Sequence, residues 1–147
     1  MNISTLYDTL STGISGYTPL EAWALSRYGK SHTIIGRADK RDGPDETDCP
    51  CCVLTPIAKE MSQEDRRVYH DFSLDVIIYD GTSLGFKYVE EFRVLLQDAM
   101  KAAVAGGNIN LVDIRVDYDL SSSFPFIGCG MLIRFLESIT LGTDPLS

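Results

Sequence analysis

The chain has 147 residues, 44% of them hydrophobic and 23% charged, and a formal net charge of −8. That length suits one domain, 1–147, with a core of its own, and no apolar run approaches the ~20 residues that a membrane span needs. The acidic balance and the scattering of the thirteen Lys and Arg residues argue against tight wrapping of nucleic acid, which takes a basic footprint.

Along the chain, Ile3, Leu6, Tyr7 and Leu10 share one helical face, which predicts a helix over roughly the first ten residues. The opening MNISTLYDTLST has no basic region ahead of an apolar block, so no signal peptide is expected and a cytoplasmic protein is the default. A glycine-containing break, GISGY, precedes TPLEAWALSRYGK. Here Thr18 is expected to cap a helix from Pro19 to Tyr28, with Glu21 closing a capping box and Gly29 ending it. SHTIIGRAD reads as a strand leading into an acidic loop, Asp39–Asp48, and CPCCVLTPI as a second strand closed by Pro56. After the polar patch MSQEDRR, VYHDFSLDVIIYD predicts a long strand whose second half is apolar enough to be central.

Phe86 to Val104 carries the strongest helical pattern. Phe86, Val89, Phe92, Leu96, Met100 and Ala103 form its apolar stripe, and Gly106 and Gly107 end it. INLVDIRVDYDL then alternates, with Val112, Ile114, Val116 and Tyr118 on one side and Asp113, Arg115, Asp117 and Asp119 on the other. This predicts a strand with one buried face. SSSFPF is read as a turn, IGCGMLIRFLESI as the returning strand of a hairpin, and residues 139–147 as a mobile tail. Strands in runs with one long helix predict an α+β fold, a mainly antiparallel sheet with helices packed on one face.

The stretch DVIIYDGTSLGFK invites comparison with a phosphate-binding loop. However, Gly81 and Gly85 enclose three residues instead of four, Lys87 comes one position late, and Tyr88 replaces the metal-binding hydroxyl. The simpler reading is a turn made by Asp80 and Gly81, with Thr82 or Ser83 capping the next helix. Asp71 and Asp75 share a strand face and could work as an acid–base pair, although such pairs are more often a solvated face. The same holds for Asp113, Asp117 and Asp119. A nucleophilic pair of Cys52 with His70 lacks any motif to bring the two together. Cys49, Cys51 and Cys52 lie in DCPCC, without the spacing of a zinc site. They and Cys129 are expected to be reduced, small and buried. No cofactor, metal or catalytic residue is expected.

The order of these features resembles a known family. A first helix, the block EAWALSRYGKSHTIIGRAD, the acidic loop with CPCCVLTP, DVIIYDGTSLGFKYVEEFRVLLQDAM and a closing hairpin are similar to the tail terminator, or tail completion, proteins of tailed bacteriophages and prophages. The resemblance spans nearly the whole chain through element order. It implies a structural virion protein, not an enzyme, present in the host cytoplasm during assembly. Its subunits would form a ring, usually a hexamer, that caps the tail tube and joins it to the head. The implied partners are further copies of the chain, the tail tube protein and a neck or connector protein, with DNA passing through unbound and no membrane. An acidic ring suits such a passage, because it repels phosphates. The acidic loop, through Asp42, Asp45, Glu46 and Asp48, is expected to contact an adjacent subunit or the tube, pairing with Arg27, Lys30, Arg66 or Arg67 there. A solvated bystander loop is the plain alternative. The other readings are a neck or head–tail connector adaptor, and a small enzyme or ligand-binding domain built on Cys49, Cys51, Cys52 and His70.

Overall fold

The computed structural model describes residues 1–35 and 44–139. In chain order they form α1 (Ile3–Ser15), α2 (Thr18–Tyr28), β1 (Thr33–Ile35), a 3-10 turn (Glu46–Asp48), β2 (Cys51–Ser62), β3 (Arg67–Tyr79), α3 (Gly85–Val104), β4 (Ile109–Ser123) and β5 (Phe126–Ser138). The strands make one five-stranded sheet in the order β1-β2-β3-β5-β4. The fold is α+β, and the sheet is mostly antiparallel. One pair departs from the expectation: β1 and β2 run parallel, with Thr33 opposite Cys51.

The core follows from the strand alternation. Val68, His70, Phe72, Leu74, Val76 and Ile78 of β3 are buried, because successive side chains point to opposite faces. On β5 the odd residues Ile127 to Glu137 do the same. Phe72 meets Phe135 edge to face, with centroids 6.0 Å apart. Leu6, Leu10 and Ile14 of α1, Leu20 of α2 and Val89, Phe92 and Leu96 of α3 join this same cluster. Phe92 also stacks on Trp23 at 4.9 Å, tying α3 to α2. A second, smaller cluster of Ile35, Cys49, Cys51 and Val53 packs with Ile77, Tyr79 and Phe126.

Several boundaries differ from expectation for visible reasons. α1 runs through Gly13 to Ser15 instead of breaking near residue 10. Gly13 is there to allow a close approach: a Cβ on it would sit 2.5 Å from the Cβ of Ala103 in α3. α2 begins at Thr18 itself, its N-cap is Tyr17, and no side chain caps it. The expected capping box is therefore absent, and Glu21 instead accepts from Ser31. Gly29 does end α2, in the left-handed region at φ 71°. β2 does not stop at Pro56; it continues to Ser62 across an irregularity between Pro56 and Ala58. The paired part of β1 ends opposite Val53, so among the described residues Pro56 has a strand neighbour on the β3 side alone, a position that tolerates proline. Gly85 opens α3 against the sheet, since a Cβ there would meet the Cδ1 of Ile127 at 2.3 Å. The tail expected over 139–147 lies outside the described residues except for Ile139, whose N–H donates to the Arg66 carbonyl.

Two polar side chains, His70 and Glu137, are buried together at one end of β3 and β5. His70 is fully buried, and its Nε2 lies 3.0 Å from Oε1 of Glu137. Oε2 of Glu137 meets the Met1 amino group at 3.0 Å. Burial alone pulls the Glu137 carboxyl upward, but the contacts with His70 and the amino group outweigh it and hold it below the usual glutamate range.

Phe92→Ala should cost ~3–5 kcal/mol of stability in denaturant unfolding, as expected for an aromatic truncation in a packed core. Acid sensitivity should also depend on Glu137. A carboxyl depressed in the folded state stabilises fully above its unfolded pKa and progressively less as pH falls through the folded value. Denaturant midpoints measured from neutral pH down to about 3 should fall more shallowly in Glu137→Gln than in wild type.

Candidate assembly surface

The sheet has two unequal edges. β1 offers three residues, whereas β4 offers fifteen and pairs only with β5 among the described residues. Ile114 and Val116 lean on the core, but Val112 and Tyr118, expected to be buried beside them, are 48% and 44% exposed. Two features cause this. The β4–β5 register shifts between Leu111 and Asp113, leaving Val112 out of the pairing, and among the described residues no strand pairs with the outer edge of β4.

The exposed apolar surface continues past the strand. Tyr118 meets Phe86 of α3 edge to face at 5.6 Å, and Phe86 itself is 52% exposed, not part of the buried stripe. Leu120 and Phe124 extend the patch to the hairpin tip. That tip is narrower than the turn expected over SSSFPF: β4 persists to Ser123 and β5 begins at Phe126. The Tyr118 hydroxyl donates to Glu90, whose carboxylate also takes two bonds from Arg93, at 2.8 and 3.1 Å. Chiefly through Arg93, the Glu90 carboxyl is held below its ordinary range, and the bond to Glu90 pushes the Tyr118 hydroxyl up. Polar contacts thus fix an apolar patch in place on the surface of α3.

At the same end of the molecule, the glycine-containing loop is a turn built by Asp80. Its Oδ1 accepts from the Thr82 N–H at 2.8 Å, and its Oδ2 accepts from the Tyr28 hydroxyl at 3.0 Å. Thr82 in turn accepts from the Leu84 N–H, while Leu84, not Thr82 or Ser83, is the N-cap of α3.

Two hollows lie along the outward sides of β3, β5 and β4. One, of about 310 Å³, is lined by Ile57, Asp71, Asp113, Arg115, Leu132 and Arg134. The other, of about 480 Å³, is lined by Pro44, Asp75, Asp119, Ser123, Gly128 and Gly130, among others. Asp71 is no partner for Asp75 in acid–base chemistry, because both of its oxygens are held by Arg134 at 2.8 and 3.0 Å. Arg134 also reaches Glu60 at 3.2 Å and lies over the Tyr69 ring.

The residues expected at a subunit contact fall into two groups. Lys30 donates to the carbonyls of Glu46 and Thr47 within its own chain. Asp45 accepts from the Thr47 N–H and Asp48 from the Asp45 N–H, closing a capping box around the 3-10 turn. Arg27 meets Glu91 at 3.3 Å and lies over the ring of Tyr88. Arg66 and Arg67 lie at the far end of the sheet, where β3 begins. Asp42 lies outside the described residues. The structure therefore joins Lys30 to the acidic turn but does not bring Arg66 or Arg67 to it in one subunit. Nor does it bring Cys52 to His70: Cys52 pairs with Val76, six residues along β3 from His70, or about 20 Å.

Compared with protein-family models and with curated proteins, the chain matches none. The apolar patch was missed in the sequence because Phe86 and Tyr118 fit buried stripes by spacing. Phe124 was the available signal, as a large apolar residue in a turn.

The local roles separate by mutation. Asp45→Ala should cost about 1 kcal/mol through its lost cap, whereas Glu46→Ser, which breaks no cap, should leave the denaturant midpoint unchanged.

Proposed function

We propose that this chain is a structural virion protein of a tailed phage or prophage, forming a ring that caps the tail tube and joins it to the head. Its helices pack on one face of the sheet, and the edges of the sheet are used for assembly. The observation that supports this reading is the fifteen-residue β4 edge, continuous with the exposed Phe86, Tyr118, Leu120 and Phe124. Long open edges with apolar neighbours invite pairing by another chain, and contiguous exposed apolar residues mark interaction sites.

A ring needs two different surfaces per subunit that fit each other head to tail. β4 would supply one. The other would be the β1 side with its acidic turn, where Glu46 projects from a segment that Lys30 and the Asp45 cap already hold in shape. Contacts of that kind set register more than affinity, and the net charge of −8 would keep DNA from adhering inside the ring. Tail tube and neck proteins would then meet the two faces of the ring.

The test compares wild type with the double variant Leu120→Ser/Phe124→Ser. Both positions are exposed at the hairpin tip, so circular dichroism should be unchanged. Sedimentation should show the ring converted to smaller species, and head–tail joining should be lost in complementation. A wild type that remains monomeric alone and with tail tubes would overturn the ring, and unaltered assembly of the variant would remove β4 from it.

A further inference from the structure

Cys49 and Cys51 are two residues apart, and their sulfurs face each other at 3.8 Å. Both residues are buried, at 4% and 0% exposure, in the small cluster with Ile35 and Val53. Cys52 belongs instead to the main core, on the opposite side of the strand. We propose that Cys49 and Cys51 are a modification site: a dithiol that a hydroperoxide converts to an intrachain disulfide. This rests on the contact between the sulfurs and is independent of the ring.

The surroundings assign the roles. The contact with Cys51, in which either sulfur can donate, lowers the Cys49 thiol despite burial, and the Lys30 ammonium acts in the same direction against Asp48 and Asp45. As a thiol, Cys49 can also donate to the Asp45 carbonyl at 3.6 Å. That ammonium is anchored close by on the Glu46 and Thr47 carbonyls, at 3.4 and 3.1 Å. Cys51 moves upward, chiefly through its bond to Cys49. Cys49 is assigned as the attacking sulfur, because the Lys30 ammonium anchored beside it favours its charged form, and Cys51 as the resolving thiol. Cys52 and Cys129 are both pushed up to about 12 by burial, which keeps them protonated and inert.

The chemistry balances in two steps. The Cys49 thiolate attacks one peroxide oxygen, the O–O bond breaks, and the departing hydroxide takes up a proton, leaving a sulfenic acid. The Cys51 sulfur then attacks the Cys49 sulfur. The S–O bond breaks, and the hydroxyl leaves as water with the Cys51 proton. Two thiols and one hydrogen peroxide become one disulfide and two waters, with two electrons passing from sulfur to oxygen. The bond would tie the C-terminal end of the 3-10 turn to the first residue of β2, and a dithiol reductant would release it.

The test uses the full reduced chain, treated with one equivalent of hydrogen peroxide, then denatured and alkylated. The expected product has lost two hydrogens, keeps alkylatable thiols only at Cys52 and Cys129, carries both missing thiols in one peptide, and reverts with dithiothreitol. In Cys51→Ser the hydrogen loss should vanish, and a dimedone adduct should form on Cys49. Four alkylatable thiols after peroxide, a link to Cys52 or Cys129, or a persistent sulfenic acid in the wild type would each overturn the proposal.

Discussion

Everything in this fold is hung from the close approach of α3 to its neighbours. The helix meets α1 where Gly13 lies against Ala103, and it meets the sheet where Gly85 lies against Ile127. Neither glycine is needed for an unusual backbone angle. Each is needed because a single added carbon would collide, at 2.5 Å in one case and 2.3 Å in the other. With the gaps closed at both ends, Val89, Phe92, Leu96, Ala99 and Met100 are pressed into the main core, and close-packed interiors tolerate little slack. The position of α3 also decides which of its residues stay outside. Phe86, one residue past the Gly85 contact, is turned outward onto Tyr118.

The same geometry leaves the sheet asymmetric. At one edge β1 is short, and the 3-10 turn is held nearby by Lys30. At the other, β4 runs its full length with a polar row on one side and a half-covered apolar row on the other. A soluble chain usually blunts such an edge with a bulge, charge or proline. β4 has the first two, in the register shift beside Val112 and in Asp113, Arg115, Asp117 and Asp119. A second register shift, between Asp119 and Ser123, falls at the hairpin tip, where Leu120 and Phe124 nevertheless stay exposed.

Much of this architecture was legible in the sequence where one periodicity dominated. The stripe through Val89, Phe92 and Leu96 and the alternation of β3 need nothing beyond helical and strand geometry. What escaped had a common origin, in that it depended on a distant segment. Gly13 reads as a helix breaker until Ala103 is placed beside it. Pro56 reads as a strand end until β1 is seen to stop short of it. Tyr118 and Val112 match a buried row by spacing, but strand order alone determines that, among the described residues, no further strand lies beyond them. Within one subunit, Lys30 lies on the acidic turn, whereas Arg66 and Arg67 lie at the far end of the sheet.

Arg134 shows how one polar side chain can fix such distant relations in the folded sheet. Its guanidinium joins three strands, gripping Asp71 directly across on β3, reaching Glu60 on β2 and covering Tyr69. A one-residue slip between β3 and β5 would face this charge into the apolar cluster, and a two-residue slip would part it from Asp71. In the folded sheet the charge pair is satisfied in the observed register and lost in its neighbours. Arg134 thereby ties the register of β5 against β3, two strands separated in sequence by α3 and β4, to a single charge contact.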